Sequence, residues 1–149
     1  MKKNILLWIC AVMITALMLT ACSSAAKVTT TAITIKSVSL AESLNANYQP
    51  LNPKTQFKPN DVIYVSVNMA GRPTTGTLNG KFFYGEQLIS EFTYDFATAN
   101  QGSIYTMGAD TYAGFNLTPS TPWPVDTGYR FVLTVNGTKI GDYAYQVVQ

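Results

Sequence analysis

The chain is 149 residues long, with ten Lys and Arg against eight Asp and Glu, two cysteines and no histidine. A balance this close to neutral gives no field for nucleic acid, so none is expected as a partner. The missing histidine removes the commonest general base, the usual zinc ligand and the base of a Ser/His/Asp triad, which argues against an enzyme; no cofactor or metal is expected either.

Residues 1–21 begin with Met1-Lys2-Lys3-Asn4 and continue as an apolar run from Ile5 to Leu19, interrupted only by Thr15. A basic start, an apolar stretch of about 15 residues and a small-residue end form the three-part pattern of a secretory signal. The stretch is short for a spanning helix, which needs about 20 residues. Removing the signal takes Lys2 and Lys3 with it, so the basic count falls from 10 to 8 and equals the 8 acids. Cys10 leaves too, so a mature domain keeps Cys22 alone and can form no internal disulfide.

Leu19-Thr20-Ala21-Cys22 resembles the lipobox of bacterial lipoproteins: a long apolar residue, two small residues and an obligatory cysteine. The resemblance implies cleavage between Ala21 and Cys22, a diacylglycerol (palmitate-type acyl chains) on the Cys22 thiol, and an amine that is often acylated as well. Two or three chains give durable attachment, where one is marginal. The expected partner is therefore a membrane, reached through the N-terminal lipid, and the expected location is the cell envelope. Similarity to enteric lipoproteins implies that Ser23 permits sorting to an outer membrane; the domain then lies on its periplasmic side, or else on the outer face of the cytoplasmic membrane. Residues 22–31 are small and polar, the composition of a flexible tether.

From residue 32 to residue 149 the pattern is period-two alternation bounded by Gly, Pro and Asn, which predicts antiparallel strands in one domain. A first strand is expected over 32–40, with a change of phase near Lys36 that implies a bulge. Residues 45–60 carry Pro50, Pro53 and Pro59 and read as a long irregular connection. Residues 61–69 alternate Ile63, Val65, Val67 and Met69 against Tyr64, Ser66 and Asn68. Strands follow over 77–84 and 87–96, joined by a tight reversal at Gly85-Glu86, with Leu88, Phe92, Tyr94 and Phe96 in one phase. Residues 97–110 read as loop with at most a short edge strand. Residues 111–117 place Ala113, Phe115 and Leu117 together, and a proline-dense turn covers 118–124. The last two strands, 128–135 and 139–148, flank Asn136-Gly137, a type I′ hairpin signal because both positions need positive φ. About seven strands with a proline-rich crossover predict an all-β, immunoglobulin-like antiparallel β-sandwich, with a small closed barrel as the alternative.

Phe57, Asp61-Val62-Ile63-Tyr64, Thr77-Leu78 with Phe82 and Tyr84, and Trp123-Pro124 before Gly128-Tyr129-Arg130 follow the order of landmarks in an immunoglobulin-like domain of bacterial envelope proteins, which this chain resembles over residues 57–147. The resemblance implies a structural module without an assigned activity. Two departures set it apart from antibody domains: the paired core cysteines are missing, and Phe82 stands where a core tryptophan is expected. Asp126-Thr127-Gly128-Tyr129 resembles a tyrosine corner, in which the phenol bonds back to nearby backbone.

Three functions compete. A lipid-anchored, non-catalytic envelope protein that binds a protein partner or serves assembly is favoured. A carbohydrate-binding module is the alternative, with Tyr64, Phe83, Tyr105, Tyr112 and Trp123 as the candidate surface, because exposed aromatics stack on sugars; Trp123 between two prolines also suits a plug at the end of a sandwich. A small hydrolase built on Glu86, Glu91 and Asp95 is less favoured, since a solvated strand face explains Glu91 and Asp95. Asn116-Leu117-Thr118 and Asn136-Gly137-Thr138 match the glycosylation triplet, a pattern frequent by chance.

Overall fold

The computed structural model describes residues 32–98 and 104–149. The expected signal segment, Ala21/Cys22 processing site and tether lie outside the described residues, as do residues 99–103 of the expected loop. Among the described residues there are ten strands: β1 (Thr34–Leu44), β2 (Pro50–Pro53), β3 (Gln56–Phe57), β4 (Ile63–Ala70), β5 (Thr77–Tyr84), β6 (Gln87–Asp95), β7 (Ile104–Met107), β8 (Asp110–Leu117), β9 (Asp126–Val135) and β10 (Thr138–Val147). They form two five-stranded sheets, β2-β1-β4-β8-β7 and β3-β10-β9-β5-β6, in a sandwich-like arrangement. All described pairings are antiparallel except β3 with β10.

The two inner faces interdigitate because period-two alternation gives each long strand one apolar side. Ile63, Val65, Val67 and Met69 of β4 are fully buried, and Phe115 of β8 lies at 5.5 Å from Phe131 of β9 and 5.0 Å from Tyr94 of β6. Each such side chain contributes on the order of 1.5–3 kcal/mol when fully removed from water. Close approach at the centre explains Gly80: a Cβ there would stand 2.8 Å from both the Phe115 and Phe131 rings.

Several expectations meet the structure directly. The phase change in β1 is a register shift between Ile35 and Ser37, around Lys36. Asn136 and Gly137 both have positive φ, 49° and 79°, as a type I′ hairpin requires. A short edge strand, β7, does occupy the expected loop.

Other expectations are corrected. Among the described residues the strands number ten rather than about seven: besides β7, residues 45–60 are not irregular throughout but contain β2, which pairs with β1, and β3, which runs parallel to β10. Both are edge strands, where proline is tolerated because no ladder bond is needed on the outer side. Leu88 is 44% exposed rather than in the core. A register shift pairs Phe82 with Ser90 but Phe83 with Leu88, so Ile89 is the extra residue and packs on the core in place of Leu88. Val132, in the outward phase of β9, is nonetheless buried; its cross-strand neighbours are Lys81 and Asp142, whose long or paired side chains cover that face.

Candidate functional site

Strand β9 enters the sheet through a polar anchor. Asp126 Oδ1 accepts from the Thr127 and Gly128 amides, while Asp126 Oδ2 accepts from the Tyr84 hydroxyl at 2.9 Å. The Gly128 amide, then the Tyr84 hydroxyl and the Thr127 amide, hold this carboxyl below the usual aspartate range. The same bond raises the Tyr84 phenol, since losing its proton would place two negative groups together. Three residues on, the Tyr129 hydroxyl donates to the Pro124 carbonyl at 2.9 Å. Tyr84, Tyr129, Tyr145 and Phe57 then form a row across β5, β9, β10 and β3, with ring centroids 4.7, 5.4 and 5.7 Å apart. The Tyr145 hydroxyl within this row is buried and has no hydrogen-bond partner among the described residues, and burial pushes its pKa well above the ordinary phenol value.

The five candidate aromatics are spread over three parts of the molecule. Tyr64 and Tyr112 stand half-buried on the outer face of the β4/β8 pair, in register positions opposite Asn116 and Asn68. Asn68 Nδ2 donates to the Tyr112 hydroxyl at 3.3 Å. Tyr105 contributes its backbone to β7 opposite Tyr112, and its side chain lies outside what is described. Phe83 is on the other sheet, where the Arg130 guanidinium sits 4.7 Å over its ring. Trp123 packs against the core at the end of the sandwich; its backbone amide bonds to the Pro59 carbonyl and its indole Nε1 to the Asp61 carbonyl. The plug reading of Trp123 therefore matches its contacts.

One feature of the outer face of β4 and β8 had no signal in the sequence. Ser66 is in the outward phase yet only 2% exposed, because the loop at residues 45–49 folds over it. Ser66 Oγ donates to the Tyr48 carbonyl at 2.6 Å, and the Tyr48 ring lies where a Cβ on Gly114 would come within 2.6 Å. Asn45 shapes the loop, its Oδ1 accepting from the Asn47 and Gln49 amides. Tyr48 itself is held at φ 59°, a conformation that an aromatic residue adopts only when its surroundings enforce it.

The carboxylates weighed for hydrolysis each have a structural partner. Glu91 accepts from Asn79 at 2.7 Å and pairs with Lys81, Asp95 accepts from the Ala97 amide, and Glu86 pairs with Arg130. Among the described residues no group of three or more His, Cys, Asp or Glu side chains converges. Compared with known proteins, the chain matches no family model and no curated sequence.

Proposed function

We propose that this chain is a lipid-anchored, non-catalytic module of the bacterial cell envelope that binds a protein partner or serves assembly. The observation that carries the reading is Leu19-Thr20-Ala21-Cys22 at the end of the apolar run. Behind it we infer an immunoglobulin-like topology. The order β1-β4-β8-β7 facing β10-β9-β5-β6 corresponds to strands A-B-E-D facing G-F-C-C′, and the Tyr129-to-Pro124 bond falls near the start of the strand equivalent to F, where a tyrosine corner belongs.

Chain entry also favours one end as the contact surface. β1 begins at Thr34, opposite Ala70, whereas Trp123, two residues before Val125, stands beside the start of β4 at the other end, its indole bonded to the Asp61 carbonyl. Val125 is 52% exposed there, and Leu88, near the β5–β6 turn, is exposed as well. A lipid on Cys22 leaves that end facing away from the membrane, with apolar side chains for a partner to cover. Cross-linking in intact cells followed by capture of the lipoprotein tests this: the reading expects a partner that is retained by the native chain and lost with Val125→Asp. Capture unaffected by that change would count against the far end as the surface.

The carbohydrate reading keeps one specific observation, Tyr64 and Tyr112 together on one outward face. It expects retention on immobilised cell-wall glycan that disappears in the double Tyr64→Ala, Tyr112→Ala variant.

A further inference from the structure

The two outer faces of the sandwich differ in charge. On the second sheet the outward side carries Lys81, Glu91, Arg130 and Asp142, joined as the ion pairs Lys81–Glu91 and Arg130–Asp142. On the first sheet none of the residues 37–41, 43–53, 64–68 or 112–116 is charged. Charge appears at the margins of that face, in the Lys36–Asp110 pair and at Glu42, which accepts from Asn52.

Tyrosines occupy the uncharged face instead. Tyr64 of β4 stands opposite Asn116 of β8; two residues along, Ser66 stands opposite Gly114, and two further on Asn68 stands opposite Tyr112. The middle level is filled from the 45–49 loop, because Ser66 Oγ donates to the Tyr48 carbonyl and the Tyr48 ring lies against Gly114. Tyr48 therefore stands in the interval between Tyr64 and Tyr112, and the three half-buried tyrosines form one row parallel to the strands. Its ends are four residues apart along the sheet, about 13 Å at about 3.3 Å per residue.

We propose, resting on the carbohydrate reading of Tyr64 and Tyr112, that this row binds an uncharged oligosaccharide laid along the strands, with Tyr48 as its middle seat. Three properties select that occupant. A sugar ring offers C–H groups to the negative face of a phenol ring and hydroxyls to polar neighbours, and the row supplies both, with the exposed Asn116 amide beside Tyr64. A charged glycan, a nucleic acid or a phosphorylated headgroup would lose hydration on this face without meeting a counter-charge, whereas a hydroxyl loses far less. The rings are also braced beforehand, so little side-chain freedom is lost on binding. Asn68 Nδ2 bonds the Tyr112 hydroxyl at 3.3 Å, and Asn45 Oδ1 holds the Tyr48 loop through the Asn47 and Gln49 amides.

The test titrates the full-length protein in detergent micelles, by calorimetry, with chitohexaose and cellohexaose, which are uncharged, and with the acidic hexamer of galacturonate. Saturable binding of an uncharged hexamer is expected, weaker for its disaccharide, which spans less of the row, and weaker still for the acidic hexamer. Tyr48→Gly, Tyr64→Ala and Tyr112→Ala should each weaken binding about tenfold, whereas Phe83→Ala on the other sheet should leave it unchanged. Glycine adopts the φ of 59° at position 48 without strain, so the first of these variants keeps its fold. On the native chain the hexamer should protect Tyr48, Tyr64 and Tyr112 from nitration by tetranitromethane, read by peptide mass without any substitution. Binding of neither uncharged hexamer, tighter binding of the acidic one, or binding indifferent to Tyr48→Gly would overturn the proposal. Retention on immobilised cell-wall glycan is measured in parallel. If it persists and is lost in the Tyr64→Ala, Tyr112→Ala double variant while any of those results holds, the row fails and the carbohydrate reading stands; if it is absent from the native chain, both fail.

Discussion

The Tyr129 hydroxyl donates to the Pro124 carbonyl across 2.9 Å, tying β9 to the loop that delivers it. With Asp126 capping the next two amides, this bond fixes the point where the chain crosses from one sheet to the other. Tyr129→Phe keeps the ring stack on Tyr84 and Tyr145 but orphans the carbonyl. It should lower stability by about 1–2 kcal/mol, seen as a lower urea midpoint with an unchanged slope.

Gly114 and Tyr48 are coupled by contact, since a Cβ at position 114 would collide with the Tyr48 ring and, at 2.9 Å, with Leu44. Gly114→Ala should cost about 1–3 kcal/mol through overpacking. In a Tyr48→Gly background the ring is gone and the φ of 59° is relaxed, so the same change should cost measurably less. The double-mutant cycle in chemical denaturation reads that coupling directly.

Asn136 has two jobs, a positive φ and an acceptor for the Thr77 amide at 2.8 Å. Asn136→Gly removes only the acceptor and should cost about 1 kcal/mol. Asn136→Ala loses the acceptor and also the polar side chain that lets an Asn β-carbon sit in the left-handed region, adding about 1 kcal/mol. Thermal unfolding of the two variants separates these contributions, with Ala the less stable.

Stability should be flat across neutral pH and fall at both extremes. Asp61, Asp126 and Asp142 are held below their ordinary values, respectively by the Lys58 amide and Lys54, by the Gly128 amide and Tyr84, and by Lys139 first and then Arg130. A lowered carboxyl stabilises the fold above its unfolded pKa of about 3.9 and loses that contribution as pH falls below it. The phenols of Tyr84, Tyr129, Tyr143 and Tyr145 are raised, Tyr84 chiefly by Asp126 and the others chiefly by burial. Their contribution is intact below about pH 10 and is lost above it. With no histidine in the chain, melting temperatures should hold level between about pH 5.5 and 8.

The residues explain what could be read beforehand. Alternation in β4, β5 and β9 is strict, so their buried faces were legible, and Asn136-Gly137 and Tyr129 carry local chemistry that needs no knowledge of the fold. The short strands β2 and β3 were hidden by prolines that exclude a central strand but suit an edge. The exchange of Leu88 for Ile89 depends on a one-residue bulge, which leaves no mark in an alternating apolar run. Burial of Ser66 and Gly114 comes from Tyr48 folding across the sheet, a contact between residues 18 and 66 positions apart that periodicity cannot encode. The five aromatics shared a property rather than a place, and the fold scattered them.

The central claim is the lipid on Cys22, and mass spectrometry of the mature N-terminus tests it most directly. The native chain should begin at Cys22, carry the mass of a diacylglyceryl group with or without an amide-linked acyl chain, and sediment with membranes, while Cys22→Ala accumulates as the uncleaved precursor. A mature chain that begins elsewhere without lipid mass, or a Cys22→Ala protein that is still processed and membrane-bound, would contradict it.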